Sequence, residues 1–198
     1  MSEFFVSFIP TALVLVAVGI VLGLFQAGSV RAVERAKRLF YIFGGAVLAY
    51  SSYLSYLQYK IWQGNELGRF LFFGEQGTYY FKYISYHFFF PYLIALLLAL
   101  IFIKALEAIN AKRGGLIFEE EESYIAGLFM FLSSYPGILI YLFSILVVYL
   151  FWHIFEMVKE ARNARLPLYY LWSTAALLMT FIWYSPFVKS DIWLLLKI

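Results

Sequence analysis

The chain has 198 residues, of which 64% are apolar and 14% charged, with a net charge of +3 and a mean hydropathy of +0.81. A water-soluble globular domain is nearer half apolar and a quarter charged, so this composition argues against one and for a surface that faces lipid. There is no cysteine, which excludes disulfides, thiolate metal sites and a cysteine nucleophile. No basic, aromatic-interleaved soluble surface is present to hold nucleic acid.

Six apolar runs follow one another along the chain. The first, 4–25, is long enough to cross a hydrocarbon core of ~30 Å at ~1.5 Å per residue. Glu3 precedes it, while Arg31, Arg35, Lys37 and Arg38 follow. A cleaved signal peptide has the reverse pattern, so this run reads as an uncleaved anchor with its N-terminus outside. Gly19 and Gly23 make a small-xxx-small pair of the kind that lets another helix approach closely.

The second run, 39–59, begins near Gly44 and Gly45 and carries a polar seam of Ser51, Ser52 and Ser55. Such hydroxyls bond back to their own helix or join helices, and Tyr53, Tyr56 and Tyr59 mark the membrane interface. The connection from Lys60 to Lys82 mixes glycine with aromatic residues and reads as interfacial. The third run, 84–103, contains Pro91, a predicted kink.

The fourth run, 116–134, starts at the acidic stretch Glu119 to Glu122 and ends in Ser133-Ser134-Tyr135-Pro136-Gly137. The fifth, 138–155, and the sixth, 166–184, complete the series, with Pro167 in the first turn of the last. A short apolar tail, Ile192 to Leu196, reads as lying on the membrane surface.

Charge asymmetry decides whether the fourth run crosses. If it does, Arg31, Arg35, Lys37, Arg38, Lys104, Lys112, Arg113, Lys159, Arg162 and Arg165 share the inner side. Lys60, Arg69, Lys82, Lys189 and Lys197 are left outside. A re-entrant fourth run gives a weaker split. The predicted fold is therefore all-α, a single polytopic bundle of about six spans over residues 1–198, in the cell membrane. Its partners are the lipid bilayer and other membrane proteins, with no cofactor or metal.

One physical problem accompanies this topology. The apolar part of the fourth run, Tyr124 to Leu132, is less than half the ~20 residues a span needs. An ionised acid well inside the bilayer core carries a penalty on the order of 3 kcal/mol. The four glutamates are therefore expected at headgroup level or around a water-filled recess. Glu119 and Glu122, three apart, would share a helical face and could act in acid/base chemistry, cation coordination or proton relay. The simpler alternative is that acids at a helix N-terminus complement its dipole. His87 and His153 read as interfacial or packed side chains, since one His and one Glu make no metal site.

The order of features from Arg113 to Trp172 resembles the type IV prepilin and preflagellin peptidases, six-helix aspartyl proteases of the G-x-G-D type. The matching pieces are Arg113-Gly114-Gly115, Glu121-Glu122, the apolar Tyr124 to Leu132, Pro136-Gly137, Ile138 to Phe155, and Leu166-Pro167-Leu168-Tyr169-Tyr170. Counting back from the Pro-Gly turn sets Glu122 near the family's second aspartate. G-x-G-D itself is absent, and Gln26-Ala27-Gly28-Ser29 fills the place of the first aspartate, with Glu34 the nearest acid. The resemblance implies the scaffold in a non-catalytic assembly or interaction role. The alternatives are a membrane-embedded hydrolase using Glu122 with Glu119 or Glu34, and a small transporter or channel subunit with an acidic vestibule.

Overall fold

A computed structural model describes residues 3–25, 32–65, 77–114, 119–158 and 168–183. The glycine-rich connection at 66–76, the basic approach at 115–118, Pro167 and the C-terminal tail lie outside the described residues, as do Arg31, Lys159, Arg162 and Arg165. Among the described residues all regular structure is helical. In chain order the elements are α1 (Glu3–Phe25), α2 (Ala32–Gly64), α3 (Gly77–Ile84), a π-helical turn (Ser85–Phe89), α4 (Phe90–Lys112), α5 (Glu120–Leu132), α6 (Gly137–Val158) and α7 (Leu168–Trp183). α3, the π-turn and α4 form one continuous helical body, so the described residues make six such bodies.

Two of these bodies are long and apolar enough to cross a membrane, Thr78–Lys112 and Gly137–Phe155. Neither is a buried core helix, since most of each surface is open. On α6 the large residues Leu139, Phe143, Leu146 and Leu150 are exposed at helical spacing, and on α4 so are Leu93, Leu97, Leu100 and Ile101. Shorter apolar helical stretches occupy Pro10–Gly23 and Tyr170–Ile182.

The core is assembled from stripes at intervals of three and four residues, the signature of one buried face per helix. They are Val14, Ala17, Val18 and Val21 on α1, and Ala36, Phe40, Phe43 and Val47 on α2. α4 adds Ala95, Ala99, Ile103 and Leu106, and α7 adds Trp172, Ala175, Ala176 and Met179.

α5 differs from all of these. Every residue from Ile125 to Leu132 is buried, because α1, α2, α4, α6 and α7 surround it. This bears on the difficulty raised by its length. A helix enclosed by protein meets no lipid, so it does not have to match the bilayer thickness. Its exit turn is likewise satisfied within the bundle. Ser133 N–H donates to Phe129 O at 3.0 Å, Ser134 N–H to Phe131 O at 3.1 Å, and Tyr135 N–H reaches across to Pro91 O at 3.2 Å.

A π-turn stands immediately before Pro91, the position at which a kink is expected. Proline lacks the N–H that would bond the carbonyl four residues back, and a widened turn accommodates the loss. Ser52 and Ser55 behave as anticipated, donating to Leu48 O and Ser51 O at 2.8 Å each. The Ser55 carbonyl also accepts the Tyr80 hydroxyl at 3.0 Å, joining α2 to α3.

The small-residue expectation for α1 needs correction. A Cβ built on Gly19 or Gly23 would meet nothing within 4 Å, so no described helix packs there. The close approach occurs instead at Gly127 of α5, where a Cβ would lie 2.5 Å from the Ile103 side chain and 3.6 Å from Ala99 O.

Candidate functional site

The acidic stretch forms the N-terminal end of α5, where the backbone divides its members. Glu119 is the N-cap, with extended angles of φ −72° and ψ 146°, and therefore lies outside the helix. Glu119 and Glu122 are nonetheless neighbours, joined through the capping box. Glu119 and Glu120 are exposed, Glu121 is half-buried, and Glu122 is only 3% exposed. The Glu119 backbone N–H donates to Glu122 Oε2 at 3.2 Å, at the spacing of a capping box. The burial of Glu122 is thus coupled to satisfying a donor that the helix itself cannot satisfy.

Side chains from two neighbouring helices meet this end of α5. Lys37 of α2 places its Nζ 5.0 Å from the centre of the Tyr124 ring, a cation–π contact. On α4, Lys104 Nζ donates to Glu107 Oε2 at 2.7 Å. The Tyr124 hydroxyl also bonds the Glu107 carboxyl, and the Lys37 charge acts on the same group. The result is a layer of alternating charge that ties α2, α4 and α5 together one turn inside the acidic cap.

Glu34 has a different setting. It stands exposed in the first turn of α2, its Oε2 3.9 Å from Arg38 Nη2 one helical turn on. Among the described residues, no three His, Asp or Glu side chains gather into a metal-ligand set. His87 stacks on Tyr83 at 4.2 Å with Nδ1 3.0 Å from Tyr83 O, and His153 stacks on Tyr149 at 6.2 Å.

No family model, curated protein or solved structure matches the chain.

The opposite end of α5 carries a second feature, apolar over most of its wall. A crevice of about 10 Å³ is lined by Pro10, Thr11 and Val14 of α1, Leu132, Ser133 and Ser134 at the α5 exit, and Met179 and Thr180 of α7. Thr11, Ser133 and Thr180 are buried. Ser133 Oγ donates to Phe129 O and Thr180 Oγ1 to Leu177 O, both at 2.7 Å. Ser134 adopts a left-handed φ of 48°, a region that a non-glycine residue enters at some conformational expense.

Sequence reasoning singled out the four glutamates but not Lys37, Tyr124 and Glu107. Their mutual contact depends on three helices meeting at one level. The hydroxyl crevice had a faint signal, since Thr11 and Thr180 stand alone inside apolar runs.

Proposed function

We propose that this chain is a membrane protein of six crossings, N-terminus outside, built on a prepilin-peptidase-like scaffold. Its role on this reading is assembly or interaction within the membrane rather than hydrolysis. The exposed apolar stripes of α4 and α6 support the membrane part, because a contiguous apolar surface of that kind suits lipid and not water. The enclosure of α5 supports counting it among the crossings despite its short apolar stretch. The inner face then holds the acidic cap with Lys37 and Lys104, and the outer face holds Lys60 and Lys82.

One observation carries the non-hydrolytic part. The Glu122 carboxylate, the acid nearest in register to a family aspartate, accepts the Glu119 N–H as a helix cap. Glu34, its candidate partner, is exposed beside Arg38. Two-carboxylate hydrolysis needs two acids near enough to share a proton. Glu122 and Glu34 in these settings serve as a cap and a surface ion pair.

The absence of cysteine makes the topology directly testable. Asn65→Cys is expected to react with a membrane-impermeant maleimide in intact cells, and Arg113→Cys only after permeabilisation. Labelling of both from the same side would overturn the six-crossing arrangement. For the role, processing of exported precursors is compared between wild type, a deletion strain and Glu122→Gln. A processing defect shared by the deletion and a normally expressed Glu122→Gln protein would replace this reading with the hydrolase.

A further inference from the structure

Hydroxyls elsewhere in this bundle find an acceptor close by. Ser133 and Thr180 donate to carbonyls of their own helices at 2.7 Å, and Ser55 donates to Ser51 O at 2.8 Å. Among the described residues, five buried side-chain polar atoms have no hydrogen-bond partner. They are Tyr141 Oη, Ser144 Oγ, Trp152 Nε1, Trp172 Nε1 and Ser173 Oγ. All five lie on α6 or α7, and each of these two helices packs chiefly on the other. Tyr141, Ser144 and Ser173 are at most 1% exposed, so neither bulk solvent nor lipid reaches them.

The positions on α6 form a stripe. Counted from Tyr141, Ser144 is three residues on and Trp152 eleven, so the three share one face of the helix. Eleven residues extend over ~16 Å, about half the hydrocarbon thickness of a bilayer. The opposite face is the exposed apolar one of Leu139, Phe143, Leu146 and Leu150. Ser144 and Ser173 forgo the carbonyl one turn back that serines in apolar helices ordinarily take. Indole N–H groups only donate, whereas a hydroxyl donates once and accepts twice. A guest must therefore accept from Trp152 and Trp172 while meeting the hydroxyls in either sense. None of the five residues is charged, so an ion is not matched. Water is donor and acceptor at once and small enough for a packed interior.

We infer that the inward face of α6, together with Trp172 and Ser173 of α7, is a binding seam for ordered water inside the bundle. The water supplies the hydrogen bonds that Tyr141, Ser144, Trp152, Trp172 and Ser173 do not find in the protein. It gives the α6 and α7 pair a polar lining at a depth where lipid offers no hydrogen bond. The seam itself is independent of the role proposed above, and only its depth within a bilayer rests on that reading.

The full-length protein, purified in detergent, is exposed to a synchrotron X-ray pulse, which splits bound water and oxidises the side chains beside it. A parallel sample receives hydroxyl radicals made in the bulk solvent by photolysis of peroxide. Relative to the exposed Tyr79, oxidation of Tyr141 and Trp172 is expected to be several-fold greater under X-rays than under bulk radicals. Equally weak labelling by the two routes would sink the inference, because no water then stands beside these rings. Equally strong labelling would overturn it too, since the seam would be open to bulk solvent. Tyr141→Phe and Ser173→Ala are melted alongside. Loss of a hydroxyl that holds water should lower Tm by about 2–4 °C in each. An unchanged or raised Tm in a folded variant would mean a dry hydroxyl and count against the seam. If one variant fails to fold, the other carries the comparison.

Discussion

Gly127 and Glu122 lie on the same short helix and are constrained for opposite reasons. At Gly127 the α4 surface is so near that a single added carbon lies 2.5 Å from Ile103. Ile103 is β-branched and buried, and both its Cγ1 and its Cδ1 lie at that distance, so Gly127→Ala already forces the α4 face to repack. Gly127→Val brings a branched carbon toward Ala99 O as well. It is expected to destabilise by about 1–3 kcal/mol, the usual range for overpacking a dense core. Thermal melts of the two variants in detergent check this, and a Val variant as stable as wild type would mean that α4 and α5 are not in contact. Gly19 and Gly23 provide the contrast, since open space surrounds both and alanine there should leave the melt unchanged.

At the scale of the element, α5 explains how a helix of 13 residues can serve in a bundle of longer ones. Its sides are covered by neighbours, its exit turn is bonded to Pro91, and its entry is capped by its own glutamates. The cap makes a prediction that separates structure from chemistry. Glu122→Ala removes the acceptor for Glu119 N–H and is expected to cost about 1 kcal/mol of stability. Glu122→Gln keeps an oxygen in that place and should melt close to wild type. If Gln destabilises as much as Ala, the negative charge rather than the cap is what the site requires, and the layer around Lys37 becomes its counterpart.

Across the whole molecule, the exposed apolar stripes bear on which solvent the chain faces. Phe143 is 63% exposed on the outward face of α6. In a water-soluble bundle, replacing it with lysine would be neutral or helpful. In a lipid-facing helix the same change places a charge near mid-span, with an insertion penalty of about 2.5–3.5 kcal/mol. Phe143→Lys is therefore expected to deplete the membrane-integrated fraction in a carbonate-extraction assay. Undiminished integration would argue that α6 does not face lipid.

Composition and run length by themselves determined that the described residues are all helical and where the two long apolar helices among them lie, and they marked Pro91, which a π-turn precedes. Those properties follow from hydropathy and backbone chemistry within a single segment, which a sequence displays directly. Only the tertiary structure decided that α5 is the enclosed helix, that Glu122 is buried while Glu119 and Glu120 are not, and that Gly127 rather than Gly19 or Gly23 admits a close neighbour. The physical reason is the same in each case. Burial and close approach depend on which helix stands opposite. An apolar pattern that faces lipid on one side and protein on the other reads alike along the chain.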